Sequence, residues 1–265
     1  MAARELSARE SRVPVLLYHG LTRSQATAPE QERKYWLEAA QFAAHLRQIQ
    51  KAGCKAARLR DLWGGAKASP AVAITFDDGL ASDYELAFPA LAAGGASADF
   101  FVNTSRVGQP GHLTWAQMAE MQRAGMAFQS HSHEHVALSR LSRRALAEQL
   151  GTSKKILEDR LGSRVEFLAA PYGFVNRGVI ETALQQGYRG VCTSLPWPAR
   201  PGRHAIPRVG MHAHTTAQDL ERILAGDLFW FVARAGRAAA LYLPKQILLR
   251  FDPAMLGVRV LETGA

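Results

Sequence analysis

Hydrophobic positions along this chain come in two rhythms. Seven short apolar runs, at 13–18, 71–76, 98–103, 126–131, 165–170, 189–193 and 208–212, are each the length of a strand. Several are apolar on both faces, as strands of a parallel sheet covered by helices are. Between the runs, apolar residues recur at helical spacing. Ser142 is placed to cap a helix with Leu146, Leu150, Leu157 and Leu161 on one face, and Gly162 is its stop. Thr114 opens a second helix that ends before Gly125. Asn176 opens a third, carrying Val179, Ile180, Ala183 and Leu184 and ended by Gly187. A further helix is expected around 37–51.

Strands alternating with helices predict parallel β/α units. Seven strands suggest an α/β fold of one domain, a distorted (β/α)7 barrel, with an open doubly wound sheet as the competing arrangement. Both architectures gather chemistry beyond the carboxyl ends of the strands. The polar residues fall there. Asp77 and Asp78 follow the run 71–76; His131, His133 and His135 follow 126–131; Pro171, Tyr172 and Gly173 follow 165–170; His212 and His214 follow the last run.

One such end is unremarkable. Asp-Asp-Gly alone reads as a turn, Pro-Tyr-Gly alone does too, and a single strand-end histidine is commonly structural. Four on one rim favour a site. A carboxylate and two imidazoles make a three-ligand set with open positions, the donor pattern of catalytic zinc. His131 and His135 are spaced to converge, which leaves His133 as a bystander. One aspartate then ligates while its neighbour takes a proton, and a backbone N–H of the Pro-Tyr-Gly turn and a rim histidine serve as oxyanion donor and acid.

Composition narrows little further. The chain has 265 residues, 48% hydrophobic and 21% charged, and a formal net charge of +9. That suits a single sizeable core. Residues 189–208 hold Arg189, Arg200, Arg203 and Arg208 with no acid, which reads as a solvated basic face; no nucleic-acid motif accompanies it. Cys54 and Cys192 form no CxxC pair and are expected to be free thiols. Neither a secretory signal nor a stretch of about 18 apolar residues is present, so a cytoplasmic protein is expected, peripheral to a membrane at most.

These residues resemble the polysaccharide deacetylase family, the NodB-homology domain of carbohydrate esterase family four. "TFDDG" at 75–79 is similar to its first motif, His131-Ser132-x-x-His135 to its second, Pro171-Tyr172 to its third and "VGMH" at 209–212 to its last. The opening "PVLLYHGLT" is similar to the first strand of many members, and the pattern is nearest to exopolysaccharide-type deacetylases. The resemblance covers roughly 13–225, flanked by an extension at 1–12 and a C-terminal segment at 226–265. It implies a distorted barrel that binds zinc or another divalent metal and hydrolyses the N-acetyl group of a sugar in a polysaccharide or lipid-linked glycan. It also implies Asp77 as base, Asp78, His131 and His135 as metal ligands, the Tyr172 N–H in the oxyanion hole and His212 as acid. Pro171 and Trp197 are assigned to substrate binding. Two departures stand out. Ala169 occupies the position of an arginine that normally pairs with the base, and the fourth motif has no clear match, so weaker tuning of Asp77 and His212 is expected. A catalytically silent glycan-binding member and an amidohydrolase of a small N-acyl compound are the alternatives.

The segment "LFWFVARAGRAAALYLPKQILLR" at 228–250 follows the last motif. It reads as a helix on the barrel, broken near Pro244. The sharper reading is a basic amphipathic segment on an anionic membrane surface.

Overall fold

The apolar runs become the strands of a parallel sheet. The computed structural model describes residues 12–64 and 70–251, with side chains described through residue 240. The extension before residue 12 and the end of the C-terminal segment after 251 lie outside the described residues. Nine strands make the main sheet: β1 (Val15–Tyr18), β2 (Lys55–Ala57), β3 (Ala71–Phe76), β4 (Asp99–Val102), β5 (Ala127–Ser130), β6 (Phe167–Ala169), β7 (Gly190–Cys192), β8 (Ala205–Ile206) and β9 (Val209–Gly210). Their order is β8-β7-β6-β5-β4-β3-β1-β9, with β2 pairing the start of β3, and every pairing is parallel. The sheet curls into a half-barrel, the distorted barrel that the alternation predicts. An antiparallel bridge between Val13 and Ala199 links the chain before β1 to the chain before β8.

The helices are α1 (Ala39–Lys51), α2 (Leu59–Trp63), α3 (Phe88–Ala93), α4 (Trp115–Arg123), α5 (Arg143–Leu161), α6 (Arg177–Gln185), α7 (Ala217–Leu224) and α8 (Leu228–Phe251). The predicted caps are real. The Thr114 side chain accepts from Gln117 N–H, Ser142 from Ala145 N–H and Asn176 from Val179 N–H, and Gly162 ends α5 with φ 62°. Two expectations need correcting. Residues 37–38 pair as a short strand with 21–22 before α1 begins. And α8 is continuous through Pro244 rather than broken there; a proline inside a helix removes one N–H but need not end it.

Two-residue alternation decides which side chains face the site. Tyr18, Phe76, Phe100 and Phe128 are in-register partners on β1, β3, β4 and β5. Their rings stack at 5.3, 5.0 and 5.7 Å, forming one aromatic row against the helices. Ala73 and Thr75 point the other way, into the barrel, and continuing the period puts Asp77 there as well.

At the opposite end of the barrel, the fully buried Asp99 accepts from Leu59 N–H (2.7 Å) and from the Gln129 amide (3.1 Å). The Gln129 carbonyl oxygen in turn accepts from Glu166 and Phe167 N–H. One polar pair thus joins β4, β5, β6 and the start of α2. Burial pushes the Asp99 carboxyl up to about 7. A folded-state value above the unfolded one means stability present at low pH is lost as pH rises from about 4 through 7. Stability measured by urea unfolding should fall with pH across that window in the wild type and less steeply in Asp99→Asn. Gln129→Ala, which strands three buried partners, should cost about 3 kcal/mol.

Candidate active site

Three of the predicted ligands meet. Ligand atoms of Asp78, His131 and His135 all lie within 4.8 Å of one another. Asp78 Oδ1 is 3.4 Å from His131 Nε2 and 3.2 Å from His135 Nε2, yet this buried oxygen makes no hydrogen bond. Three donor atoms turned toward a common point without bonding one another are the arrangement that a cation completes. His133 is not part of it; its Nδ1 is 2.8 Å from Thr104 Oγ1.

The turn carrying the histidines is held from several sides. The His131 Nδ1–H donates to the Ala169 carbonyl (2.9 Å), which leaves Nε2 free to ligate. Asn103 Nδ2 donates to the His131 carbonyl. Ser132 Oγ accepts from His135 N–H at 3.1 Å, and Gln149 of α5 bonds the Glu134 backbone and carboxylate. Among the described residues, the non-glycine positions with positive φ are Asp78 (78°), Ser132 (67°), His135 (54°) and Tyr172 (60°). Each costs conformational energy, of order 1 kcal/mol or more, and all four belong to this site.

Asp77 is buried inside the barrel and does not join the triad. Both its oxygens accept from Arg208, Oδ1 from Nη1 and Oδ2 from Nη2, each at 2.7 Å. Arg208 is fully buried. Its Nε donates to the Thr193 carbonyl at 3.3 Å, Nη1 also reaches Thr75 Oγ1, and its guanidinium lies 5.2 Å from the Phe101 ring centre. Burial raises the Asp77 carboxyl, but the charges of Arg208 and His131 outweigh it and hold the group below its ordinary value. Asp78 lies well below its ordinary value, since its two imidazoles outweigh burial.

Arg208 corrects two readings. It is not part of a solvated basic face, and Arg189 of the same stretch pairs with Glu166 at 3.0 Å. The gap at Ala169 also leaves Asp77 with a partner, because an arginine beside another strand supplies the charge. The local signal that could have found it is a lone arginine between two apolar strands, "AIPRVG".

The other predicted residues divide. His212 sits at the end of β9, its ring folded back over Gly210, where an added Cβ would lie 2.9 Å from Nε2. Burial first, then the charges of His19, His214, Lys34 and Arg234, push His212 down to about 4. The His214 ring stacks on it at 5.4 Å and Tyr35 approaches at 5.5 Å. His19, in "YHG", also belongs here although no site role was expected of it. It lies 5.2 Å from Tyr35 and acts electrostatically on both Asp77 and His212. Tyr172 forms the left-handed turn after Pro171, and its ring packs edge-on to His135 at 4.7 Å. Trp197 instead packs on Phe231 (6.1 Å) with Arg12 over its ring. Asp83, buried beyond the first motif, is pushed well above the carboxylate range by burial and then by Asp78.

The half-barrel fold has counterparts among known proteins. The polysaccharide deacetylase family model matches residues 64–191. YxkH of Bacillus subtilis (strain 168), whose name assigns it provisionally to the polysaccharide deacetylases, is 27% identical over 209 residues, 76% of this chain and 72% of that protein. The structure of IcaB from Ammonifex degensii superposes with TM-score 0.70 at 26% identity, covering 83% of this chain and 97% of that one. Streptococcus pyogenes deacetylase PplD, solved with acetate, gives TM-score 0.73 at 24% identity, covering 80% and 98%. Residues 64–191 thus resemble the polysaccharide deacetylase family, and the relatives support a hydrolase of carbon–nitrogen bonds.

Removing Arg208 should change the ionisation of Asp77 rather than the Asp78–His131–His135 triad. Arg208→Lys keeps a charge but loses the two-pronged contact. Its acidic limb in kcat/KM should move to higher pH, because a less stabilised carboxylate holds its proton longer, and activity at pH 7 should fall at least ~10-fold. A pH profile identical to wild type would show that the pair does not tune a group the reaction depends on.

Proposed function

We propose that the protein removes acetyl from an N-acetylated sugar of a polysaccharide or lipid-linked glycan, with one divalent metal, zinc foremost, held by Asp78, His131 and His135. The observation that carries this is the convergence of those three donor sets beside a second, separately held carboxylate. A cation bound there would supply Lewis-acid polarisation of the acyl oxygen and lower the pKa of a coordinated water.

The chain's own groups do the rest. Asp77, kept ionised by Arg208, accepts the proton of the attacking water. The fork leaves each carboxylate oxygen a further lone pair for this. The Tyr172 N–H, held by its left-handed turn beside His135, serves as oxyanion donor. His212 protonates the leaving nitrogen. It is neutral at pH 7 in the free protein, so it first takes up a proton, from solvent or from the one Asp77 has accepted, as negative charge developing on the substrate raises its proton affinity, and then passes it on. Pro171 shapes the turn at the acyl pocket. Trp197, packed between Arg12 and Phe231, is the weakest of the substrate-binding assignments.

The test is acetate release from N-acetylglucosamine oligomers together with metal analysis. Asp77→Asn should retain the metal and lose about 10²- to 10⁴-fold in rate, since an amide cannot take the proton. His131→Ala should lose the metal and His133→Ala keep it. For the acid, His212→Ala should cost far more than His214→Ala; the reverse order would exchange their roles. Stoichiometric metal with no acetate from any N-acetylated sugar would favour a silent glycan-binding protein.

A further inference from the structure

The helix α8 supplies no group that the proposed reaction uses directly, and among the described side chains its anchoring contacts lie in the first two turns. Asp227 caps it, accepting from Phe229 and Trp230 N–H at 3.0 and 3.2 Å. Trp230 and Phe231 turn inward, Trp230 Nε1 donates to Asp219 (2.8 Å), and Arg234 pairs with the same carboxylate at 3.2 Å. The outward side is different. Leu228, Phe229 and Val232 are 50%, 86% and 59% exposed. At 100° per residue they share one side with Ala233, Gly236 and Ala240, so an uncharged face continues for three turns. Large apolar side chains grouped on a surface mark a contact.

Charge identifies the partner. From Leu228 to Phe251 the helix sequence has Arg234, Arg237, Lys245 and Arg250 and no acid, in a chain of net charge +9. An apolar face flanked only by cations complements an anionic bilayer surface. No helix among the described residues is long and apolar enough to cross a membrane, so α8 would lie on the surface. Its root is at the rim of the site. Phe231 touches Trp197, and Arg234 is among the charges felt by His212.

We propose that α8 docks the protein on an anionic membrane surface through Leu228, Phe229 and Val232, turning the rim of the site toward glycan carried on that surface. The choice of an anchored glycan rests on the deacetylase reading; the docking does not.

The experiment is co-sedimentation of the full chain with vesicles of phosphatidylcholine alone or with 30% phosphatidylglycerol (about one lipid in three), at low and high salt. Binding should be at least ~10-fold tighter to the anionic vesicles and weaken as salt rises, with each basic residue at the surface adding roughly fivefold. The double change Phe229→Glu, Val232→Glu touches only exposed positions and should abolish binding, while circular dichroism and metal content stay as in wild type. No binding to anionic vesicles at low salt overturns the proposal, as does binding that survives the double change. Light scattering covers the competing occupant: a dimer that the same double change converts to monomer would make the face a self-interface and overturn it too. Vesicle binding without acetate release would sink the proposed activity and leave the docking standing.

Discussion

The contact between Arg208 and Asp77 organises this molecule. A fully buried guanidinium is costly unless every donor finds a partner. Here Nη1 and Nη2 both meet the carboxylate, Nε meets the Thr193 carbonyl, and the ring of Phe101 lies against the cation. Those partners come from β3, β4 and the segment after β7, while Arg208 itself sits between β8 and β9. The pair therefore ties the segment between the two edge strands, β8 and β9, to the end of the interior strand β3. It also keeps Asp77 ionised in a buried site, the condition for the base role proposed for it. Removing one partner would leave the other charge buried and alone, typically a loss of 3–5 kcal/mol. Stability and function rest on the same bond.

A second constraint is where backbone strain is allowed. Glycine would take positive φ more readily than Asp78, His135 or Tyr172. It would bring no ligand and no ring to pack on His135. The strain is held by neighbours: Ser132 Oγ under His135 N–H, Asn103 on the His131 carbonyl, and Gln149 on Glu134. These contacts keep the donor atoms of the triad gathered, so that a cation bound there would require little reorganisation.

Much of this was legible in the sequence because it is local. Strand and helix rhythms, the caps at Thr114, Ser142 and Asn176, and the triad at strand ends depend on residues near one another in the chain. What was hidden depends on distance. Arg208 looked like one more member of a basic stretch, since sequence does not show that its neighbours Val209 and Ile206 carry it into the interior. β2 was missed because "KAA" has almost no apolar signal, and it is a strand only because β3 lies beside it. α7 was missed as well, although Thr216 and Asp219 form a capping box. His19 carried no motif weight alone and gains meaning only from Tyr35 and His212 folding next to it. Pro244 misled in the other direction, because a local breaker was weighed above the helical sequence on both sides.

Two adjacent aspartates have separate roles for a reason that lies in the backbone. Along β3 the side chains alternate, so Asp77 follows Thr75 into the barrel, where Arg208 waits. Continued extension would send Asp78 outward, behind the helices and away from the histidines. Instead φ at Asp78 is 78° and Gly79 follows at 63°, and the chain reverses at the rim. The carboxylate then faces His131 and His135. Gly79 cannot be larger, since a Cβ there would lie 3.0 Å from Val102 on β4 in a conformation that side chains rarely adopt. The one-residue step thus puts one carboxylate against the Arg208 guanidinium and the next against two imidazoles, a donor group able to hold a cation. That separation is what the proposed division of tasks needs, with Asp77 as proton acceptor and Asp78 as ligand.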